Sequence, residues 1–336
     1  MERFDIQKLK QAAATERVEA VVHGQVEALV EKTTQSQKPY YELALADATG
    51  KLTLRAWSDS AAFEQCKALE SGSFIEVRGD FTASSYGLDS KNWQARALST
   101  AERDTLLAGA PELRARQERD FAEIEALAQS LKDPRLHALA TQFLADFGPR
   151  FQRAGAARNN HHARRGGLVE HTAQMMRAAS AICPVYPQLN RDLLLAGALF
   201  HDSGKLWENQ YAEDGFVMPF DELGELLGHI TIGIELVNRL WRALPLEQWS
   251  GLMPKSEEVR QHLLHLVASH HGELQFGSPV PPKTPEAQAL HYLDNLDAKL
   301  EMMSAAYATS AQLAPRIQEK VWPLPGNLVK PLPGVG

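Results

Sequence analysis

The chain has 336 residues, 44% apolar and 23% charged, with a formal net charge of −7. That length accommodates two ordinary domains, and the acidic balance excludes a whole-protein basic field, leaving nucleic-acid contact to a local patch. Two cysteines, Cys66 and Cys183, form no disulfide framework or thiolate zinc site and fit a reducing cytoplasm; no apolar stretch suits a signal peptide or a bilayer span.

Residues 16–98 read as β. "VEAVVHGQVEALVEK" alternates in part and carries a glycine where a strand can bend. In "PYYELALADATGKLTLRAW", Leu43 and Leu45, then Leu52, Leu54 and Ala56, alternate with polar residues across the turn signal "DATGK". "FEQCKALES" is a short helix, and "GSFIEVRGDFTAS" and "KNWQARALS" add two strands. Five strands with one helix before the fourth predict a small Greek-key barrel of OB type over residues 1–100. From about residue 102 the spacing and residue types turn helical. The expectation is an α+β chain: the barrel, a linker over 101–117, an all-α domain over 118–320, and an irregular Pro- and Gly-rich tail over 321–336.

The helical part carries a sparse set of metal-capable residues. They are His171 in "GGLVEHT", His201 and Asp202 in "LFHDSGK", His229 in "LLGHI", His270 and His271 in "ASHHGE", and Asp294 in "HYLDNLDA". One histidine in a helix is usually a partly buried side chain and nothing more. Seven such residues on separate helices or helix ends can converge inside a bundle and suit divalent metals that accept imidazole with carboxylate. They suffice for two ions, with Asp202 as the bridge.

These motifs, with "SHHGELQFGSPVPPKTPEAQALHYLDNLDAKLEMM", resemble the HD-domain metallo-phosphohydrolase superfamily. More narrowly they resemble the YhaM group of 3′→5′ exoribonucleases, in which an OB-fold precedes the HD domain; "KPYYELALADATGKLTLRAW" resembles that group's OB strands. The resemblance implies single-stranded RNA, with single-stranded DNA as a further substrate, and Mn²⁺ as cofactor, Co²⁺, Fe²⁺, Ni²⁺ and Zn²⁺ being chemically acceptable. It implies a first ion on His171, His201, Asp202 and Asp294 and a second on His229, His270 and His271. Asp294 and Asp297 both suit the last ligand; Asp294 is preferred, and Asp297 then supports the ligands or touches substrate. The family also suggests self-association.

The chemistry expected is phosphodiester hydrolysis by metal-activated water, with Asp202 orienting the nucleophile and Lys205 at a phosphate oxygen or the leaving group. His161 or His162 would act as the acid or hold the scissile phosphate. The segment 151–169 has four arginines and no acid, and Arg158, Arg164 and Arg165 are expected to meet the strand. In the barrel, Tyr40, Tyr41, Trp57, Phe81, Tyr86 and Trp93 are stacking candidates, with Tyr40 the better platform because Tyr41 is in phase with Leu43 and Leu45. Two alternatives share the site: an HD-type nucleotide phosphohydrolase, and a non-catalytic single-strand-binding protein.

Overall fold

The computed structural model describes residues 1–84, 87–90, 92–158 and 162–332. The chain divides into two compact units. One holds Met1–Pro111, Ala212–Val217 and Glu301 onward; the other holds Glu112–Tyr211 and Met218–Leu300.

The first unit opens with β1 (Glu2–Phe4), α1 (Ile6–Ala13), β2 (Val18–Thr33), β3 (Pro39–Ala46) and β4 (Lys51–Trp57). It continues through α2 (Ala61–Cys66), β5 (Phe74–Ser84), β6 (Gly87–Ser90), β7 (Gln94–Ala97) and α3 (Thr100–Ala108). The sheet runs β4-β3-β2-β5-β6, with β7 on β5 and β1 on β2. Every pair is antiparallel except β1 with β2. The five expected strands are β2, β3, β4, β5 and β7, with α2 in the expected place before β5; β1 and β6 are additions.

Alternation drives this part of the fold. Leu43, Leu45, Leu52, Leu54 and Ala56 point into one core with Val22, Val26, Ile75, Val77 and Phe81. The β3–β4 turn is built by Asp47, whose Oδ1 accepts from Thr49 N at 2.7 Å and Gly50 N at 3.0 Å while Oδ2 accepts from Ile6 N at 2.8 Å. The bulge in β2 lies between Val26 and Ala28 rather than at Gly24, whose missing side chain makes room for Leu45.

On the opposite face, His23, Glu76 and Arg96 stand in one cross-strand row. His23 Nε2 meets Glu76 Oε2 at 3.0 Å. Arg78 and Arg96 also bind Glu76, and Arg96 continues to both carboxylate oxygens of Glu102 on α3. The same face holds residues 212–217: Gln25 Oε1 accepts from Phe216 N at 2.7 Å and Val217 N at 3.2 Å, and Arg103 pairs with Asp214 at 3.0 Å.

The second unit is helical: α4 (Pro111–Gln129), α5 (Pro134–Phe151), α6 (Gly167–Ile182), α7 (Arg191–Phe200), α8 (Lys205–Glu208), α9 (Glu222–Ala243), α10 (Ser256–Ser269) and α11 (Pro285–Thr309). Its core includes Phe143, Phe151, Phe200, Trp241 and Leu266. Among the described residues no helix is long and apolar enough to cross a membrane.

The expected boundaries shift in two places. Residues 101–117 are helical except at 109 and 110, because Ser99 and Glu102 form a capping box that starts α3 and α4 begins at Pro111. The helical unit ends at Leu300, within α11, rather than near 320. Over its described residues, 321–332, the tail is largely without regular structure and carries one two-residue strand. β8 (Gln312–Ala314), β9 (Ile317–Gln318) and β10 (Leu328–Val329) form a small sheet, and Leu324 and Leu328 pack with Ala306, Met302 and Tyr307.

Candidate metal centre

The helical unit gathers its histidines at helix ends. His201 is the C-cap of α7 and His270 the C-cap of α10. Carbonyls lacking a helical partner are available there, and each ring uses one: Nδ1 of His201 donates to Ala198 O at 2.9 Å, and Nδ1 of His270 to Val267 O at 2.8 Å. His271 Nδ1 donates to Phe276 O at 2.7 Å. His171 on α6 and His229 on α9 use carboxylates instead, Asp297 at 2.7 Å and Glu208 at 2.8 Å. With Nδ1 donating, the neutral form of each ring presents Nε2 as an acceptor, the tautomer a metal ligand needs.

These Nε2 atoms converge on Asp202. Its Oδ2 lies 3.3 Å from His201 Nε2 and 3.6 Å from His171 Nε2; its Oδ1 lies 3.6 Å from both His229 Nε2 and His270 Nε2. Asp294 Oδ1 stands 3.4 Å from His171 Nε2. Two donor groups result, His171 with His201 and Asp202, and His229 with His270 and His271.

The arrangement fits a divalent cation. Asp202 Oδ1, His229 Nε2 and His270 Nε2 are buried and have no hydrogen-bond partner among the described residues, which is costly unless something else satisfies them. His171 Nε2 and His201 Nε2 face each other at 3.1 Å. With both Nδ1 protons donated outward, two lone pairs point at one spot, and only a proton or a cation relieves that. Protonation states agree. Burial keeps His229 and His270 low, and burial with the neighbouring His270 pushes His271 down to about 4. Against their burial, Lys205 and His201 hold Asp202 well below the carboxylate range, and His171 does the same for Asp294. His171 is the exception: burial opposes its charge, but Asp294 and Asp297 outweigh it and push it up to about 9, as suits a ring awaiting a cation.

Two glycines let the chain approach itself at this centre. A Cβ on Gly204, in "HDSGK", would collide with the His229 carbonyl oxygen, and one on Gly167, in "GGLVEH", with the carbonyl of His162. The preceding Gly166 has φ 77°, a left-handed conformation that side chains disfavour.

The candidate residues fall into different places. Asp294 and Asp297 sit at opposite poles of the His171 ring, Asp294 by Nε2 and Asp297 on Nδ1. Lys205, expected at a phosphate, is buried and donates to Asp202 Oδ2 at 2.7 Å. His162, expected as an acid, is also buried, with Nε2 3.1 Å from Asp297 Oδ2. His161 lies outside the described residues.

The three arginines expected to meet the strand have partners within the fold. Arg158 donates to the carbonyls of Met218, Glu208 and Pro219 and lies over the Phe220 ring, so it fastens loop backbone. Arg164 pairs with buried Glu170, which also takes Arg116 and Gln117. Arg165 is half-buried and its carbonyl accepts from Gln117 at 2.9 Å. In the other unit, Phe81 and Trp93 are core residues and Tyr41 packs on Phe63, whereas Tyr40 lies beside Trp57 with ring centroids 4.9 Å apart. Tyr86 is outside the described residues.

Sequence reasoning missed Glu208, Glu170 and Gln174, the last donating to Asp297 Oδ1 at 3.1 Å. A signal for the first existed: His229 follows a glycine at a helix start, where no carbonyl is at hand for its Nδ1.

Residues 168–299 match the HD domain family. The match spans the whole donor set from His171 to Asp294. The chain therefore carries an HD domain, and the match with the donor set supports a metal-dependent phosphohydrolase of the HD superfamily.

Proposed function

We propose that the protein is a 3′→5′ exonuclease that hydrolyses the phosphodiester bonds of single-stranded RNA, and of single-stranded DNA, with divalent metal as cofactor. The observation that carries this reading beyond phosphohydrolysis is an outward aromatic row on the β unit. Lys32, Tyr40 and Trp57 are side-by-side neighbours on β2, β3 and β4, and Trp57 is 39% exposed. Lys32 pairs with Glu42 at 2.6 Å, in an exposed pair that a phosphate can enter; a cation of this kind beside two stackable rings suits a single strand, whose bases stack on aromatics while its phosphates seek positive charge. An enzyme for mononucleotides has little use for such a row. The β unit serves in this reading as an OB-type platform that holds the strand.

In the site, His171, His201, Asp202 and Asp294 would hold one divalent cation and His229, His270 and His271 a second, Mn²⁺ suiting this mixed donor set. When bound, such ions neutralise phosphate charge and acidify water. Asp202 is the shared carboxylate. Lys205 holds its Oδ2, which leaves Oδ1 directed at His229 and His270. Asp297 holds His171 by Nδ1 and is itself fixed by His162 and Gln174, so the expected acid acts here as a support for a ligand.

The test is a 5′-labelled single-stranded RNA of about 20 nucleotides, a length comparable to single-strand binding sites, incubated with the protein and Mn²⁺ beside Asp202→Ala. The expected result is a ladder shortening from the 3′ end, absent with the variant. Intact RNA with phosphate released from mononucleotides would overturn the exonuclease in favour of the nucleotide hydrolase. Intact RNA with no metal bound would favour the binding protein.

A further inference from the structure

Four of the five converging histidines owe their orientation to a neighbour close in sequence or to the Asp297 network; His229 depends on one distant carboxylate. The break in α9 explains this. Gly228 has φ 68° and ψ 159°, non-helical values inside the helix, so His229 begins a fresh helical run. A helix start exposes N–H groups and no carbonyls, and the local acceptor that serves His201 and His270 at their C-caps is missing. Glu208 fills the gap: its Oε2 meets His229 Nδ1 at 2.8 Å.

Glu208 is itself firmly placed. It closes α8, three residues after Lys205. Its carbonyl accepts from Arg158 at 3.1 Å, and the same guanidinium group holds the carbonyls of Met218 and Pro219. Gly224 lies so close that a Cβ there would come within 3.0 Å of Glu208 Cα.

We infer that Glu208 is a positioning residue: it fixes His229 with Nδ1 protonated, aims Nε2 at the space shared with Asp202 and His270, and so sets the divalent-cation affinity of the His229–His270–His271 cluster without touching the cation. The inference rests on the metal reading above. It separates the two clusters, because nothing in the His171–His201–Asp294 group is held by Glu208 in this way.

Two measurements on the full chain test it. The first is a calorimetric Mn²⁺ titration, the second a long-range ¹H–¹⁵N imidazole spectrum of the metal-free protein. Glu208→Ala should weaken one Mn²⁺ step about 10–100-fold, the usual effect of removing a ligand's hydrogen-bond partner, and leave the other unchanged. Glu208→Gln, whose amide oxygen still accepts from Nδ1–H, should regain most of that loss. Glu208→Asp keeps the charge but withdraws the oxygen by one methylene; it should weaken the same step, and it decides the matter if the alanine variant fails to fold. In the spectrum, His229 should be Nδ1–H in the wild type and the Gln variant and drift toward Nε2–H in the Ala or Asp variant. A folded Ala or Asp variant that titrates like the wild type overturns the inference alone, as does equal weakening of both steps. A wild-type protein that takes no Mn²⁺ overturns the metal reading and the inference with it.

Discussion

Each unit gathers histidine and carboxylate donors within 4.8 Å of one another: His23, Glu76 and Glu102 in the β unit, His171, His201 and Asp202 in the helical unit. The resemblance ends at the partners. In the β unit, Arg78 and Arg96 already occupy Glu76, and Arg96 occupies Glu102, so two guanidinium groups answer two carboxylates. His23 Nδ1 alone in that group lacks a hydrogen-bond partner among the described residues. In the helical unit, Lys205 answers Asp202 from one side only, and three buried polar atoms facing one another have no hydrogen-bond partner among the described residues. Proximity of ligand-type residues does not define a cation site. What defines it is a shortfall of internal partners that a cation would make good.

The sharpest way to break the comparison is Asp202→Ala. It should lower hydrolysis at least about 10³-fold, the scale of losing several kcal/mol of charge stabilisation in the transition state, and should reduce bound metal with the β unit still folded by circular dichroism. Full activity in that variant would sink the site. Next, Mn²⁺ at about 100 times its Kd should stabilise the native protein by about 2.7 kcal/mol, read as a raised melting temperature. His23→Ala should leave that increment intact; its loss would mean the β-unit group also takes metal.

Glu76→Gln should cost about 1–3 kcal/mol, because two arginines lose a charged acceptor in a buried setting. The pH dependence follows. Burial works against the charge on Glu76, but Arg78, His23 and Arg96 outweigh it and hold the carboxyl below its ordinary 4.5. A group with a depressed folded value contributes its full stability above the unfolded value and loses it as pH falls through the folded one. Urea midpoints of the wild type should therefore drop as the pH is lowered through and below 4.5, and Glu76→Gln should lack that share of the fall. The smallest effect expected is on salt dependence. Lys32 pairs with Glu42 at 2.6 Å on an open surface, where a phosphate can replace the carboxylate, so Lys32→Ala should flatten the salt slope of RNA binding by about 0.7, one phosphate contact on a single strand, whereas Arg164→Ala, removing a guanidinium enclosed with buried Glu170, should leave it unchanged. The reverse outcome would move the strand path to the arginine segment.

The sequence made long, strongly patterned elements legible. Leu43, Leu45, Leu52 and Leu54 announce β3 and β4 because burying one face imposes a period of two. β1, β9 and β10 are two or three residues long, too short for any period, and "VWPLPGNLVKP" reads as loop although Leu324 and Leu328 anchor it. The residues from His171 to Asp294 stood out because histidine and aspartate are rare on apolar helices. Their supports did not. Glu208 and Glu170 are ordinary helix carboxylates until the fold brings His229 and Arg164 to them. Likewise the arginines of 151–169 looked available because a count of charges does not include their partners.

The segment 212–217 has a consequence for how the molecule is made. The chain passes between the units at 111/112, 211/212, 217/218 and 300/301, and Phe216 is 1% exposed with its amide held by Gln25. A ribosome releases the β strands first, yet the segment that covers Gln25 emerges only after more than 200 residues. Until then the surface around Gln25 awaits its covering, and nascent chains are most vulnerable to aggregation while such surfaces stand open. A fragment cut at residue 111 would retain that opening permanently. The two units are thus compact in space but a single undertaking in biosynthesis.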